Sequence, residues 1–92
     1  MIKTFSDKRA AVFSGLYIKG LSPDIAVRAR KKLIQIHRAV RVEDLRLPPS
    51  NHLEKLLGNR EGRWSIRIND QWRVCFCFVD GDAFDVEMVD YH

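Results

Sequence analysis

The spacing of apolar positions changes once along the 92 residues. Before Asn51 they recur at helical intervals, and after it they alternate. Ile25, Ala29, Leu33, Ile36 and Val40 lie four, four, three and four residues apart, which gathers them on one helix face. Ser22 stands where an N-cap belongs, Pro23 at the first helical position and Asp24 at the positive end of the dipole. Arg28, Arg30, Lys31, Gln35 and Arg38 make up the opposite face. An earlier helix is expected from Ser6 and Asp7 to about Tyr17, with Gly20 ending it and Gly15 weakening its interior. Ile2 to Phe5 reads as a short edge strand. A turn follows at Val42 to Leu45, and Pro48-Pro49 forbids helical continuation.

In the second half, Trp64, Ile66 and Ile68 alternate with Arg63, Ser65, Arg67 and Asn69. Trp72, Val74, Phe76 and Phe78 alternate with Arg73, Cys75 and Cys77. Phe84, Val86 and Met88 alternate with Asp85 and Glu87. Turn signals at Gly58–Gly62, Asn69–Gln71 and Asp80–Asp82 divide these runs, the last being a two-residue hairpin signal. The pattern predicts an antiparallel β-meander with one apolar face, an N-terminal strand and two N-terminal helices packed on that face. The fold class is α+β, and residues 1–92 form a single domain.

Charge adds a direction. Sixteen Lys and Arg stand against twelve acidic residues. The bases cluster in Arg28-Ala29-Arg30-Lys31-Lys32 and through Arg60, Arg63, Arg67 and Arg73, whereas Asp80, Asp82, Asp85, Glu87 and Asp90 crowd the C-terminal end. Such asymmetry suits a reader of backbone phosphates. Taken residue by residue, the basic helix run also reads as a solvated face. No apolar run approaches the roughly 18 residues of a membrane span, and Met1 to Phe5 is no signal peptide, so the cytoplasm is the expected compartment. Cys75 and Cys77 share one strand face about 7 Å apart, too far to bridge easily, and read as packed, reduced thiols. His37, His52 and His92 do not supply the close ligand spacing of a zinc site, and His37 on the helix reads as structural or solvent-facing.

The polar face of the meander is where chemistry can sit. Arg67 and Arg73 flank one tight turn with equal parity, and Glu87 and Tyr91 share that parity on the last strand. Two guanidiniums and a phenol would floor a groove. Without other information, a solvated sheet face with ion pairs such as Arg73 to Glu87 is the plainer reading.

The stretch from Gly58 to Phe76, with its Gly-Asn-Arg-Glu-Gly and Asn-Asp-Gln-Trp-Arg turns, resembles the centre of HigB-type toxins of the RelE/ParE superfamily. The ending Val86-Glu87-Met88-Val89-Asp90-Tyr91-His92, the opening Met1 to Phe5 and the Leu45-Arg46-Leu47-Pro48-Pro49 segment are similar too, in the same order. The resemblance implies a RelE-like microbial ribonuclease fold and a ribosome-dependent endonuclease that cuts messenger RNA in the A site. It also implies a HigA-type helix-turn-helix antitoxin that alone contacts operator DNA, and neither metal nor organic cofactor.

Metal-independent RNA cleavage removes a proton from the 2′-hydroxyl, stabilises a phosphorane and protonates the leaving 5′-oxygen. Arginine forks suit the phosphorane, and Arg67 and Arg73 are the candidates. Histidine suits proton transfer, and on the resemblance His92 is the candidate, with Tyr91 to stack or place phosphate and Asp90 to orient His92 or accept a proton. Some HigB-type toxins carry a further histidine where Glu54 stands here. His52, two positions earlier, would keep the same face of a strand. Arg28, Arg30, Lys31, Lys32, Arg60 and Arg63 are expected to bind ribosomal or messenger RNA. A non-catalytic RNA- or protein-binding module and a gyrase inhibitor of the same fold remain alternative readings.

Overall fold

The computed structural model describes residues 1–6, 13, 21–56 and 62–90. Helix α1 spans Pro23–Arg38, and the Ser22 hydroxyl accepts from the Ile25 N–H at 3.2 Å, the cap that the sequence signals. Ala29, Leu33 and Ile36 of its apolar stripe are completely buried. Val40 is not: it is 73% exposed, because the helix stops at Arg38 and the extended Ala39 takes the buried place instead. The expected first helix falls on residues outside the described set, apart from Phe13 and from Ser6, whose N–H donates to the Val86 carbonyl at 3.0 Å.

Beyond α1, two single 3₁₀ turns, Val42–Arg46 and Pro49–Asn51, lead into a four-stranded antiparallel sheet. Its strands are β1 (Glu54–Lys55), β2 (Arg63–Arg67), β3 (Trp72–Val79) and β4 (Asp82–Asp90), in that spatial order. The β3–β4 hairpin turns on Asp80 and Gly81, both at positive φ, as an Asp-Gly two-residue turn requires. A Cβ on Gly81 would stand 3.3 Å from the Val40 carbonyl, so close approach also favours glycine there. Ile66, Val74, Phe76, Val86 and Met88 form the core face, against Ala29, Leu33 and Ile36 of α1.

One expected alternation fails. Cys75 pairs with Glu87 and Cys77 with Phe84, so Asp85 and Val86 together oppose Phe76. The extra residue is a β-bulge at Asp85, whose φ is 52°. It reverses side-chain parity: Phe84 moves to the polar side opposite Cys77, and Ala83, completely buried, takes the core position.

The chain start does lie at an edge, though as two isolated parallel bridges rather than a strand: Ile2 with Ala83 and Phe5 with Val86. His37 Nδ1 accepts the Ile2 N–H at 3.1 Å and its ring meets Phe13 at 5.3 Å, a structural role. Among the described residues no helix is long and apolar enough to cross a membrane.

Candidate phosphate-binding site

The polar face of the sheet is built by register. Arg63, Ser65 and Arg67 of β2 stand opposite Cys77, Cys75 and Arg73 of β3, with Glu54 beside Ser65 and Glu87 beside Cys75. The anticipated pairing of Arg73 with Glu87 gives way to another. Glu87 binds the Arg63 guanidinium across β3, and Arg63 also donates to Cys77 Sγ at 3.8 Å. Arg63 is therefore buried, not an open RNA contact. Cys75 is buried and Cys77 half-buried, and neither is in a disulfide.

Arg73 corrects a second expectation. Rather than facing solvent as a free fork, it is only 8% exposed. It lies down over the small Ser65, donating through Nε to the hydroxyl at 2.9 Å and through Nη2 to the Ser65 carbonyl at 3.3 Å. Nη2 also donates to the His52 carbonyl at 2.6 Å, and the Glu54 carboxylate is 4.0 Å away. His52 is not on a strand, because β1 begins only at Glu54. It closes the Pro49–Asn51 turn in the left-handed region, φ 44°, its N–H bonded to the Pro49 carbonyl at 3.1 Å and its side chain exposed. Arg73 thus clamps the backbone that presents the His52 imidazole.

At the end of β2 the chemistry opens. Arg67 is about one-third exposed and pairs with Asp70, itself almost fully exposed. It lines a cleft of about 460 Å³ together with Arg28, Lys31, Lys32, Gln35 and Ser50, floored by Ile68 and the Asn69–Asp70 turn. The helical residues are spaced i, i+3, i+4 and i+7, a single stripe of α1. Arg30, two residues on from Arg28, is rotated by about 200°. Its Nε donates instead to the Phe13 carbonyl at 3.3 Å, so it stands outside this stripe.

Asn51 organises the back of the cleft, a role the sequence does not announce, since an Asn after Pro-Pro-Ser signals only a turn. It is wholly buried. Its Nδ2 donates to Gln35 Oε1 at 3.1 Å and to the Leu45 and Leu47 carbonyls at 3.1 and 3.2 Å. Three acceptors around the amide nitrogen turn Oδ1 toward Lys32, whose Nζ donates to it at 2.5 Å. Burial pulls the Lys32 ammonium below the usual lysine pKa, since desolvation disfavours the charged form.

The turn of the cleft also meets the end of β4. Asp90 is paired with Trp72, is exposed, and accepts from Gln71 Nε2 at 3.2 Å. Tyr91, His92 and Arg60 lie outside the described residues. Among the described residues no three His, Cys, Asp or Glu side chains gather as metal ligands.

Residues 4–92 match the HigB-like toxin family, described as RelE-like toxins of type II toxin–antitoxin systems. The chain is 33% identical to the endoribonuclease HigB of Proteus vulgaris over 96 residues, covering all of both chains. It is 42% identical to toxin HigB-1 of Vibrio cholerae over 66 residues, covering 71% of this chain and 70% of that one. The fold is that of the Staphylococcus aureus YoeB dimer structure, with a TM-score of 0.61, 20% identity and coverage of 99% of this chain and 94% of that one. With the family matched over nearly the whole length and the full-length relative in agreement, this chain belongs to the HigB-like toxins, the RelE-like toxins of type II toxin–antitoxin systems.

Proposed function

We propose that this protein is a ribosome-dependent messenger-RNA endonuclease that needs no metal, cuts in the A site in the cytoplasm, and is neutralised by a HigA-type antitoxin. The family supplies the class, and the Proteus vulgaris relative is named an endoribonuclease. The observation that carries the reading is the cationic cleft, where Arg67 stands among Arg28, Lys31 and Lys32 at the sheet end where β4 finishes. Four cations are set against one lining acid, Asp70, so the potential favours a polyanion.

On this reading Arg67 exchanges Asp70 for the scissile phosphate and stabilises the phosphorane as the neighbouring 2′-hydroxyl attacks. His92 donates the proton to the leaving 5′-oxygen, Tyr91 stacks on a base, and Asp90 orients His92. Arg73 acts on the His52 backbone, so its contribution is the placement of His52, which serves as the second proton-transfer group. Arg28, Lys31 and Lys32 hold RNA, with Arg30 and Arg60 as further contacts. Arg63 supports the sheet rather than the RNA. Operator DNA is contacted only through the antitoxin.

Primer extension on a message under translation tests this. New 5′ ends in phase with the A site are expected with the wild-type protein and ribosomes together. DNA damage without such ends would move the function to gyrase.

A further inference from the structure

The Arg28–Lys31–Lys32 stripe is not uniform. Arg28 is exposed and leans on Asp24 at 3.3 Å, a solvated i, i+4 pair. Lys31 is exposed. Lys32 alone is half-buried and oriented by a group that is itself buried and fully bonded. A lysine ordinarily keeps its flexible four-carbon stem mobile, and ordering it opposes binding. Here the Asn51 carbonyl oxygen takes one of three ammonium protons, and Gln35 and two backbone carbonyls fix Asn51. The ordering is done before any ligand arrives, which is how preorganisation strengthens a contact. The remaining donors belong to a side chain that lines the cleft with Arg67 and Ser50, over the apolar Ile68. The volume, about 460 Å³, lies in the range of small-ligand sites and suits one nucleotide.

We propose that this cleft is a single-nucleotide subsite in which Lys32, positioned by Asn51, is a fixed anchor for a backbone phosphate of RNA, while Arg28 and Lys31 supply only diffuse positive potential. The proposal rests on the ribonuclease reading for the identity of its ligand. It adds a division of labour within the basic run that charge alone does not make.

The probe is a 2′-O-methyl RNA tetranucleotide, which lacks the attacking hydroxyl and so reports binding without cleavage. Titrated into ¹⁵N-labelled full-length protein, it should shift the amide signals of Lys32, Ser50, Asn51 and Ile68. Lys32→Met should weaken binding about tenfold or more, as loss of a charge-assisted hydrogen bond does, and lower the log K against log salt slope by about 0.7. Lys31→Met should lower the slope similarly but weaken binding less. Lys32→Arg keeps the charge but not the fit to Asn51, so the slope should survive while affinity falls several-fold. Full affinity in Lys32→Arg, or equal losses in Lys31→Met and Lys32→Met, would overturn the fixed anchor. Tighter binding of a Glu-rich peptide than of the RNA, at the same signals, would assign the cleft to an acidic protein segment and overturn the nucleotide subsite. Binding through these residues by a protein that leaves translated messages uncut would sink the ribonuclease reading and keep the subsite. Cleavage with no shift in the cleft signals would do the opposite.

Discussion

Two sets of arginines in this small protein have opposite fates. On the polar face, Arg63 and Arg73 lie flat, nearly buried, their donors used on Glu87, Cys77, Ser65 and the His52 carbonyl. At the sheet end, Arg67 and the α1 stripe border an open cleft, and the partners of Arg67 and Arg28 are exposed acids. The first set is held by bonds whose loss leaves buried groups unpaired. The second is held by ion pairs that water and salt weaken, so an incoming phosphate can displace them. The same residue type acts as scaffold in one place and, on the proposed reading, as ligand-binding group in the other, and burial draws the line.

The largest effect should come from the chain end that follows Asp90. Deleting Tyr91 and His92 removes the proposed proton donor and stacking ring, and A-site cleavage should fall by about 10² to 10⁴. The truncated protein should melt with the parent. Retained cleavage at unchanged stability would place the chemistry elsewhere, back toward His52.

The next separates the two sets by stability. Glu87→Ala leaves the Arg63 guanidinium buried without its carboxylate and should cost about 3 kcal/mol in urea denaturation. The double variant Arg63→Met/Glu87→Leu should recover most of it, because an apolar pair leaves no charge stranded. A Glu87→Ala protein as stable as wild type would show that the face is more hydrated than its burial indicates.

Arg67→Ala and Arg73→Ala should then dissociate activity from stability. The first should reduce cleavage about 10² to 10³-fold, with stability changed by no more than about 0.5 kcal/mol. The second should destabilise by about 2 kcal/mol, since Ser65 and the His52 carbonyl lose a donor, and reduce cleavage through the displaced His52. Measured side by side by chemical denaturation and primer extension, equal profiles would erase the distinction drawn above.

The smallest effect concerns the turn that supplies acceptors to Asn51. Asp44 accepts the Val40 and Arg41 N–H groups at 2.9 and 3.0 Å. The Arg41 and then the Val40 backbone bond hold its carboxyl below its ordinary 3.8. A carboxylate depressed in the folded state stabilises it above the unfolded pKa, and that contribution disappears as pH falls through the lower folded value. Asp44→Asn should therefore be slightly less stable than wild type at pH 7, with the gap closing below about pH 4. A gap independent of pH would mean that the carboxylate charge is irrelevant to the turn.

Much of this was legible in the chain because it is local. The Ser22-Pro23-Asp24 cap, the Ala29-Leu33-Ile36 stripe and the Asp80-Gly81 hairpin depend on neighbours within four residues. The candidate site was legible in part: Arg28, Lys31, Lys32 and Arg67, four of the basic residues singled out in the sequence, line one cleft. Asn51 and Gln35 carried no signal, since nothing near them in sequence announces that one bonds the other across a helix and a turn. Alternation cannot reveal where one residue is bulged out, so Phe84, expected on the apolar face, stands on the polar side opposite Cys77.

What the sequence by itself determined, then, was the period and cap of α1, the alternation of β2 and β3, the Asn69–Gln71 and Asp80–Asp82 turns, the α+β class and the family, all of which follow from short-range spacing and residue type. Only the tertiary structure decided which charges stand open at the cleft and which are buried as supports. Whether Glu87 met Arg63 or Arg73, whether Arg73 stood up or lay over Ser65, and whether Lys32 was free or seated on Asn51 depend on strand register, one bulge and a buried amide. These are contacts between residues distant in the chain, and their energies depend on a burial that exists only once the fold has closed.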